Sequence, residues 1–297
     1  MRIFVTGATG FVGSAVVKQL LARSHQVLGL ARSEASARQL HACGAEVQKG
    51  SLEDAESLQA GVRATDAVIH TAFIHDFSRF EASVEADVWA INIIGKTLRG
   101  SKRPFIVTSA TAMLPWGDRV DEQCKPAATH PRHRSDLAAL ALTEQDVAVT
   151  LMRLPPSVHG AGDHGFIPML IDRARKNGVS AFIEDGVNRW PAVQRDDAAA
   201  LYCLAAENAL AGASLHAVAE EGIPFRQIAT LIGEKLDLPV RSVSQAEAAG
   251  YFDWMTHFVA MDNPTSSQWT QQVSGWTPQG CGLLEEMREA DYFPAPQ

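Results

Sequence analysis

"RIFVTGATGFVGSAVVKQLLARSHQVLGLAR" (residues 2–32) opens with a short apolar strand, Arg2–Thr6. It runs into a glycine-rich turn, continues as an amphipathic helix from Phe11 to Ala22 and ends in a second strand, Gln26–Ala31. That is one βαβ unit. Its glycines have separate tasks: Gly7 permits the tight turn, Gly10 lets the backbone approach a pyrophosphate, and Gly13 lets helix and sheet pack closely. The N–H groups of the first helical turn, which have no partner within the helix, face the phosphate charge. A glycine triplet alone is weak evidence. Set between a strand and an amphipathic helix, it predicts a dinucleotide held by Thr6, Gly7, Thr9, Gly10, Phe11, Val12 and Gly13, the alternative being a purely structural turn.

Outward from this unit the alternation continues. Strands are expected at 45–50 ("AEVQKG"), 66–72 ("DAVIHTA"), 104–110 ("PFIVTSA") and 147–153 ("VAVTLMR"), and helices at 53–63, near 80–100 and over 131–146. The pattern predicts an α/β fold, a Rossmann-type doubly wound parallel sheet over residues 1–153. Beyond 153 the regularity breaks into Pro- and Gly-rich loops, with helices near 166–177, 196–209 and 224–236. Residues 154–297 are expected to supply late sheet strands and a smaller substrate lobe over the carboxyl ends of the strands. The tail "YFPAPQ" is expected to be loose.

Composition narrows the partners. The 297 residues are 46% hydrophobic and 20% charged, enough for one large core or a core with a smaller lobe. No run of about 18 apolar residues is present, and the N-terminal strand meets glycines too early for a signal peptide, so the expected home is the cytoplasm and no membrane partner is expected. Cys43, Cys124, Cys203 and Cys281 form no CxxC pair, which favours reduced thiols and gives no support to a metal site. A net charge of −8 without a basic run argues against nucleic acid and for a small-molecule substrate.

Several segments in order, "TGATGFVG" (6–13), "DAVIHTA" (66–72), "VTSAT" (107–111), "RLPPSVHGAGD" (153–163) and "RWPAVQRDDAAALY" (189–202), resemble the extended short-chain dehydrogenase/reductase family, also called the NAD-dependent epimerase/dehydratase family. The resemblance spans nearly the whole chain and is strongest in the first 163 residues. It implies cofactor contacts from Thr71 and Ala72 and a catalytic Ser at Ser109. It also implies a possible homodimer built on the helices near 80–100 and 131–146. Aligned on "RSDLAA", however, the family's catalytic Tyr falls at Arg132 and its Lys at Asp136. No YxxxK exists elsewhere: four residues beyond Tyr202, Tyr251 and Tyr292 stand Ala206, Met255 and Pro296. The chain therefore resembles an atypical branch that keeps the glycine turn and lacks the usual pair.

Arg132 cannot give up a proton, but its fixed donors can hold a developing oxyanion. Asp136, one helical turn on, either accepts from ribose hydroxyls or pairs with Arg132 in a surface salt bridge. Ser109 orients a substrate oxygen or merely closes its strand by bonding backbone. The missing proton can come from a histidine. His133 and His159 are the catalytic candidates among the loop histidines, while His75, Thr111 and His164, with Trp190 and Trp254, are the substrate-binding candidates. The aromatics of "YFDWMTHF" (251–258) suit either a flat apolar substrate or ordinary core packing.

At the end of the second strand stand Ala31, Arg32 and Ser33 where NAD-binding chains normally carry an acid. Arg32 can hold a 2′-phosphate, so NADP is preferred over NAD, with Glu34 close by, while Ser51 and Leu52 are expected to cover the adenine. The expected activity is an NAD(P)-dependent oxidoreductase acting on a carbonyl, enone or quinone-like small molecule. The alternatives are a nucleotide-binding redox sensor without hydride transfer, and sugar-nucleotide epimerisation or other non-reductive chemistry in the same pocket.

Overall fold

The opening βαβ unit forms with the expected bounds: β1 (Arg2–Thr6), α1 (Phe11–Ala22) and β2 (Gln26–Ala31). The computed structural model describes residues 1–76, 79–127, 130–289 and 292–294. After the opening unit come α2 (Glu34–Ala42), β3 (Glu46–Lys49), α3 (Ala55–Arg63), β4 (Ala67–His70), α4 (Phe80–Leu98), β5 (Pro104–Ala110), α5 (His133–Ala141) and β6 (Ala148–Leu154). Helix α2 was not expected from the sequence. Ser33 caps it by accepting from Ser36 N at 3.1 Å, and it buries only Ala37 and Leu40, too narrow a stripe to stand out in a periodicity count. Helix α5 is shorter than the expected 131–146. It ends at Ala141 and gives way to a tight turn over 143–145 that delivers Asp146 in a left-handed conformation, φ 58°.

The remaining elements are β7 (Ser157–His159), α6 (Phe166–Asn177), β8 (Ser180–Ile183), β9 (Arg189–Gln194), α7 (Arg195–Asn208), β10 (Ser214–His216), β11 (Glu220–Pro224), α8 (Phe225–Leu236), β12 (Val240–Val243), α9 (Gln245–Phe252), α10 (Thr256–Val259), α11 (Gln268–Ser274) and α12 (Leu283–Glu289). Seven parallel strands lie in the order β10-β6-β5-β4-β1-β2-β3. The chain reverses direction across the sheet between β1 and β4, and the carboxyl ends of these two strands open the crevice in which such folds bind ligands.

Successive strand residues point to opposite faces, and both faces are covered. Ile3, Val5, Ile69 and Ile106 join the core shared with α1 and α7, whereas Phe4, Val68, Phe105 and Val107 join the core shared with α3, α4 and α5. A third core lies outside the sheet, where β8, β9, α6, α8 and α9 enclose Trp190, Phe225 and Phe252. The tail departs from expectation. Tyr292 is buried, its Oη accepting from Gly160 N at 3.0 Å and donating to Asp163 Oδ2 at 2.9 Å. Residues 292–294 are thus not loose, and 295–297 lie outside the described residues.

Candidate active site

The glycine turn is fixed by sterics at the switch point. Gly7 has φ +66°, and a Cβ there would stand 2.7 Å from Ala72 N. A Cβ on Gly13 would stand 2.0 Å from Gly7 O. Thr71 Oγ1 donates to Thr6 O at 2.8 Å, and Ala72 N donates to Thr6 Oγ1 at 3.4 Å, so the end of β4 is bound to the floor of the turn. Gly10, at the N-terminus of α1, is exposed, which leaves the first-turn amides open to an anion.

Beside this turn an open cleft of about 410 Å³ is lined by Ala31, Arg32, Ser33, Glu34, Lys49, Gly50, Ser51 and Asp54. Arg32 is exposed and has no partner among the described residues, while Lys49 Nζ donates to Glu34 Oε1 at 2.6 Å. Leu52 packs against the α3–α4 core instead of lining this cleft. The turn and the cleft together fit a pyrophosphate-linked dinucleotide, with phosphates at the α1 amides and an adenosine beyond them.

Behind the crevice runs a buried polar string. His70, the last residue of β4, lies between Thr6 Oγ1, 2.7 Å from Nδ1, and Asp87 Oδ1, 3.0 Å from Nε2. Nε2 donates to the Asp87 carboxylate, and Nδ1 shares a hydrogen bond with the Thr6 hydroxyl. Burial alone would raise Asp87, but the His70 hydrogen bond, with the nearby charges of His70 and Arg132, holds it below the usual carboxylate range. Thr108 Oγ1 donates to the His70 carbonyl at 2.7 Å and accepts from Tyr202 Oη at 2.6 Å.

Arg132 precedes the first residue of α5 and turns its guanidinium over the end of β5. Nη2 donates to the Thr108 carbonyl at 3.2 Å, and the guanidinium carbon sits 4.1 Å from the centroid of the Phe73 ring. Asp136 does not pair with it. Instead Asp136 is 1% exposed, and its Oδ2 accepts from Ser109 Oγ at 3.0 Å, Ser109 being equally buried. Burial pushes the Asp136 carboxyl up towards its neutral acid form, against the Ser109 hydrogen bond and the charges of Arg153, Arg132 and His133. Of the two readings of Asp136, the surface salt bridge with Arg132 gives way to a buried Ser–Asp pair, because the helix face carrying Asp136 looks into the sheet.

The profile of the NAD dependent epimerase/dehydratase family matches residues 3–218. The chain belongs to this family. A 2-alkyl-3-oxoalkanoate reductase of Stenotrophomonas maltophilia is 28% identical over 77% of the chain and 73% of its own length, and an uncharacterized protein of Schizosaccharomyces pombe is 48% identical over 99% and 100%. Among solved structures, the dTDP-glucose 4,6-dehydratase DesIV of Streptomyces venezuelae with NAD bound superposes with a TM-score of 0.77 at 22% identity, covering 97% of this chain and 96% of that one. This epimerase/dehydratase-family chain is an NAD(P)-dependent oxidoreductase with a nicotinamide cofactor and a small-molecule substrate.

Against the family frame, several expected site residues prove to lie elsewhere. Trp190 is fully buried, with Nε1 donating to the Phe258 carbonyl at 3.1 Å, so it is lobe core and cannot line a substrate site. His159 is 1% exposed, 3.5 Å from Glu286 Oε2. Burial holds it below the ordinary histidine value, and it does not rim the site. Thr111 is fully buried in the turn after β5. His164 packs edge-on against Phe11, the first residue of α1, ring centroids 5.7 Å apart. His133 is half-buried at the start of α5.

The residues that do gather with Arg132 include some that the sequence reading passed over. Phe73 stacks under its guanidinium and lies 5.2 Å from the exposed His75 ring. His130 Nδ1 accepts from Arg132 N at 3.3 Å, and its ring meets Phe80 edge-on at 6.2 Å. Burial, then the charges of Arg132, His257 and His133, keep His130 below the ordinary histidine value. Trp116, after β5, contacts His257 of α10 at 4.7 Å, and Trp254 is 41% exposed beside Phe166. His130 was signalled only by its place two residues before Arg132. Nothing local marked Phe73.

Proposed function

We propose that the protein reduces a carbonyl, enone or quinone-like group on a flat, largely apolar small molecule, with NADPH as the preferred hydride source. The observation that carries this reading is the placement of Arg132. It is a cation anchored by the Thr108 carbonyl and stacked on Phe73 near the carboxyl end of β5, at the position that the sequence resemblance matches to the family's catalytic Tyr. When bound, the nicotinamide supplies the hydride. Arg132 then holds the oxygen that becomes negative, which needs fixed donors more than an acid. Ser109, held by the buried Asp136 carboxyl that burial pushes up, would pass its hydroxyl proton to that oxygen and take one from the Asp136 carboxylic acid in exchange. A substrate whose reduced form is a stabilised enolate or hydroquinone anion tolerates that delay. The similarity to a 2-alkyl-3-oxoalkanoate reductase supports the reaction class.

Thr6, Gly7, Thr9, Gly10, Phe11, Val12 and Gly13, with Thr71 and Ala72 beneath the turn, would hold the pyrophosphate side. Arg32, Ser33 and Ser51 would hold the adenosine. Trp116, His257 and Trp254 would border the substrate. A homodimer is part of the same reading: α4 and α5 expose Trp89, Leu137 and Leu140, and sedimentation of the purified chain decides the point.

The test is NADPH oxidation with a panel of quinones and α,β-unsaturated ketones. Turnover that falls sharply in Arg132→Ala supports the reading. Tight NADPH binding with no panel member turned over, and no change in Arg132→Ala, overturns it. For the nucleotide, Arg32→Ala is expected to weaken NADPH far more than NADH, and equal losses would defeat the preference.

A further inference from the structure

The adenosine cleft carries two opposite charges that the glycine turn does not require. Lys49 is the last residue of β3, paired in register with Ala31, the last residue of β2, so it stands on the neighbouring strand beside Arg32. Glu34 is the first residue of α2, immediately after the Ser33 cap. Their side chains meet at 2.6 Å, and both line the cleft with Arg32 and Ser51. The pair is about 70% exposed on each side, so it is screened by solvent and readily exchanged for another partner. The hydrogen bond and charge of Lys49 keep Glu34 below the usual glutamate range, and it remains an acceptor at neutral pH.

We propose that Glu34 and Lys49 form a selector that lets one cleft receive either nucleotide: Glu34 accepts the 2′-hydroxyl of NAD(H), while Lys49 joins Arg32 on the 2′-phosphate of NADP(H). This rests on the dinucleotide reading above and deepens it. The chemistry separates the two states cleanly. A carboxylate is a good acceptor for a hydroxyl and repels a phosphate, whereas an ammonium beside a guanidinium is the reverse. In the NADP(H) state the phosphate replaces Glu34 as the partner of Lys49. In the NAD(H) state Lys49 stays on Glu34 and neutralises it. The N-terminus of α2, whose Ser33 and Glu34 line the cleft, adds a favourable field for the phosphate. The two nucleotides should therefore depend on opposite members of one ion pair.

Calorimetric titration of the purified chain with NADPH and with NADH tests this without any turnover. Lys49→Met should weaken NADPH by about tenfold, the scale of one charge-assisted hydrogen bond, and leave NADH within about twofold. Glu34→Gln should do the opposite, weakening NADH by about tenfold and tightening NADPH. Rising salt should lower the NADPH preference of the wild-type chain, and less steeply that of Lys49→Met, in which Arg32 alone faces the phosphate. Because both side chains are exposed, the variants should unfold at the wild-type temperature. Parallel losses for both nucleotides, or an unchanged NADPH-to-NADH ratio in both variants, overturn the selector. If the wild-type chain binds neither nucleotide, the dinucleotide reading itself falls. If Arg32→Ala moves the ratio and the Glu34 and Lys49 variants do not, the selector alone falls.

Discussion

The glycine turn after β1 and the cluster at the end of β5 lie on either side of β4 at the carboxyl ends of the same sheet, yet they are made of different material. The turn is backbone and small residues at near contact. A single added carbon on Gly13 would lie 2.0 Å from Gly7 O, and the end of β4 holds the turn from below. The strand-end site is assembled from long side chains: Arg132 reaching to the Thr108 carbonyl, Phe73 beneath it, and His130 against its backbone. Tolerances of a few tenths of an ångström leave the turn no alternative composition. A site built from reach and charge can exchange its members and still place a donor at the same point.

The sharpest way to break this contrast is at the turn. Gly13→Ala is expected to abolish NADPH binding and to cost about 1–3 kcal/mol of stability, because the clash is with backbone that cannot move aside. Calorimetry and urea unfolding measure both, and retained binding would show the turn to be as adaptable as the strand end. Next comes Arg132→Ala, expected to lower turnover by about a hundred- to a thousandfold while leaving the NADPH dissociation constant nearly unchanged. Arg132→Lys should recover little, since an ammonium cannot reproduce the planar stack on Phe73.

Asp136→Asn comes third and should move activity and stability in opposite directions. Burial raises the folded-state value of Asp136 above its unfolded one, so its stabilising contribution is present below the unfolded value and is lost as pH rises. Asn should therefore stabilise the chain at neutral pH and above, while lowering turnover about a hundredfold. A purely structural Asp136 would leave turnover unchanged.

The last effect leaves turnover aside and concerns stability alone: His216 lies behind the strand-end site, 3.1 Å from Arg153, which pairs in register with Ser109. Burial, with Arg153 beside it, pushes its imidazole down to about 4 from 6.5. The folded-state value lies below the unfolded one, so this contribution is complete above about pH 6.5 and fades as pH falls towards 4. It is worth on the order of 3 kcal/mol across that window. In His216→Gln the acid-side slope of the unfolding free energy should flatten.

The glycine turn could be read from the sequence because its physics is local, within one βαβ unit. The sheet could be read because the apolar runs of Ile3–Val5, Val68–Ile69 and Phe105–Val107 admit few other readings. The strand-end site was only half legible. The sequence placed Arg132 and Asp136 on one helix but could not show that Asp136 would face Ser109, 27 residues away, instead of its helical neighbour. It offered Trp190 to the substrate because an aromatic in a loop-rich segment looks the same whether it lines a cleft or fills a core. Burial alone separates the two, and burial is a property of the folded whole. His130 and Phe73 acquire their roles from Arg132, which reaches them only once α5 has packed.

The six tryptophans divide into two sets: Trp190 and Trp276 are sealed in the interior, while Trp89, Trp116, Trp254 and Trp269 are each about two-fifths exposed. The division makes the molecule its own optical gauge. A dissolved quencher reaches the second set alone, and Trp116, touching His257 across the join between sheet and lobe, should lose that access when a substrate settles there. Ligands can thus be ranked by how much light they protect, before any reaction has been found for them.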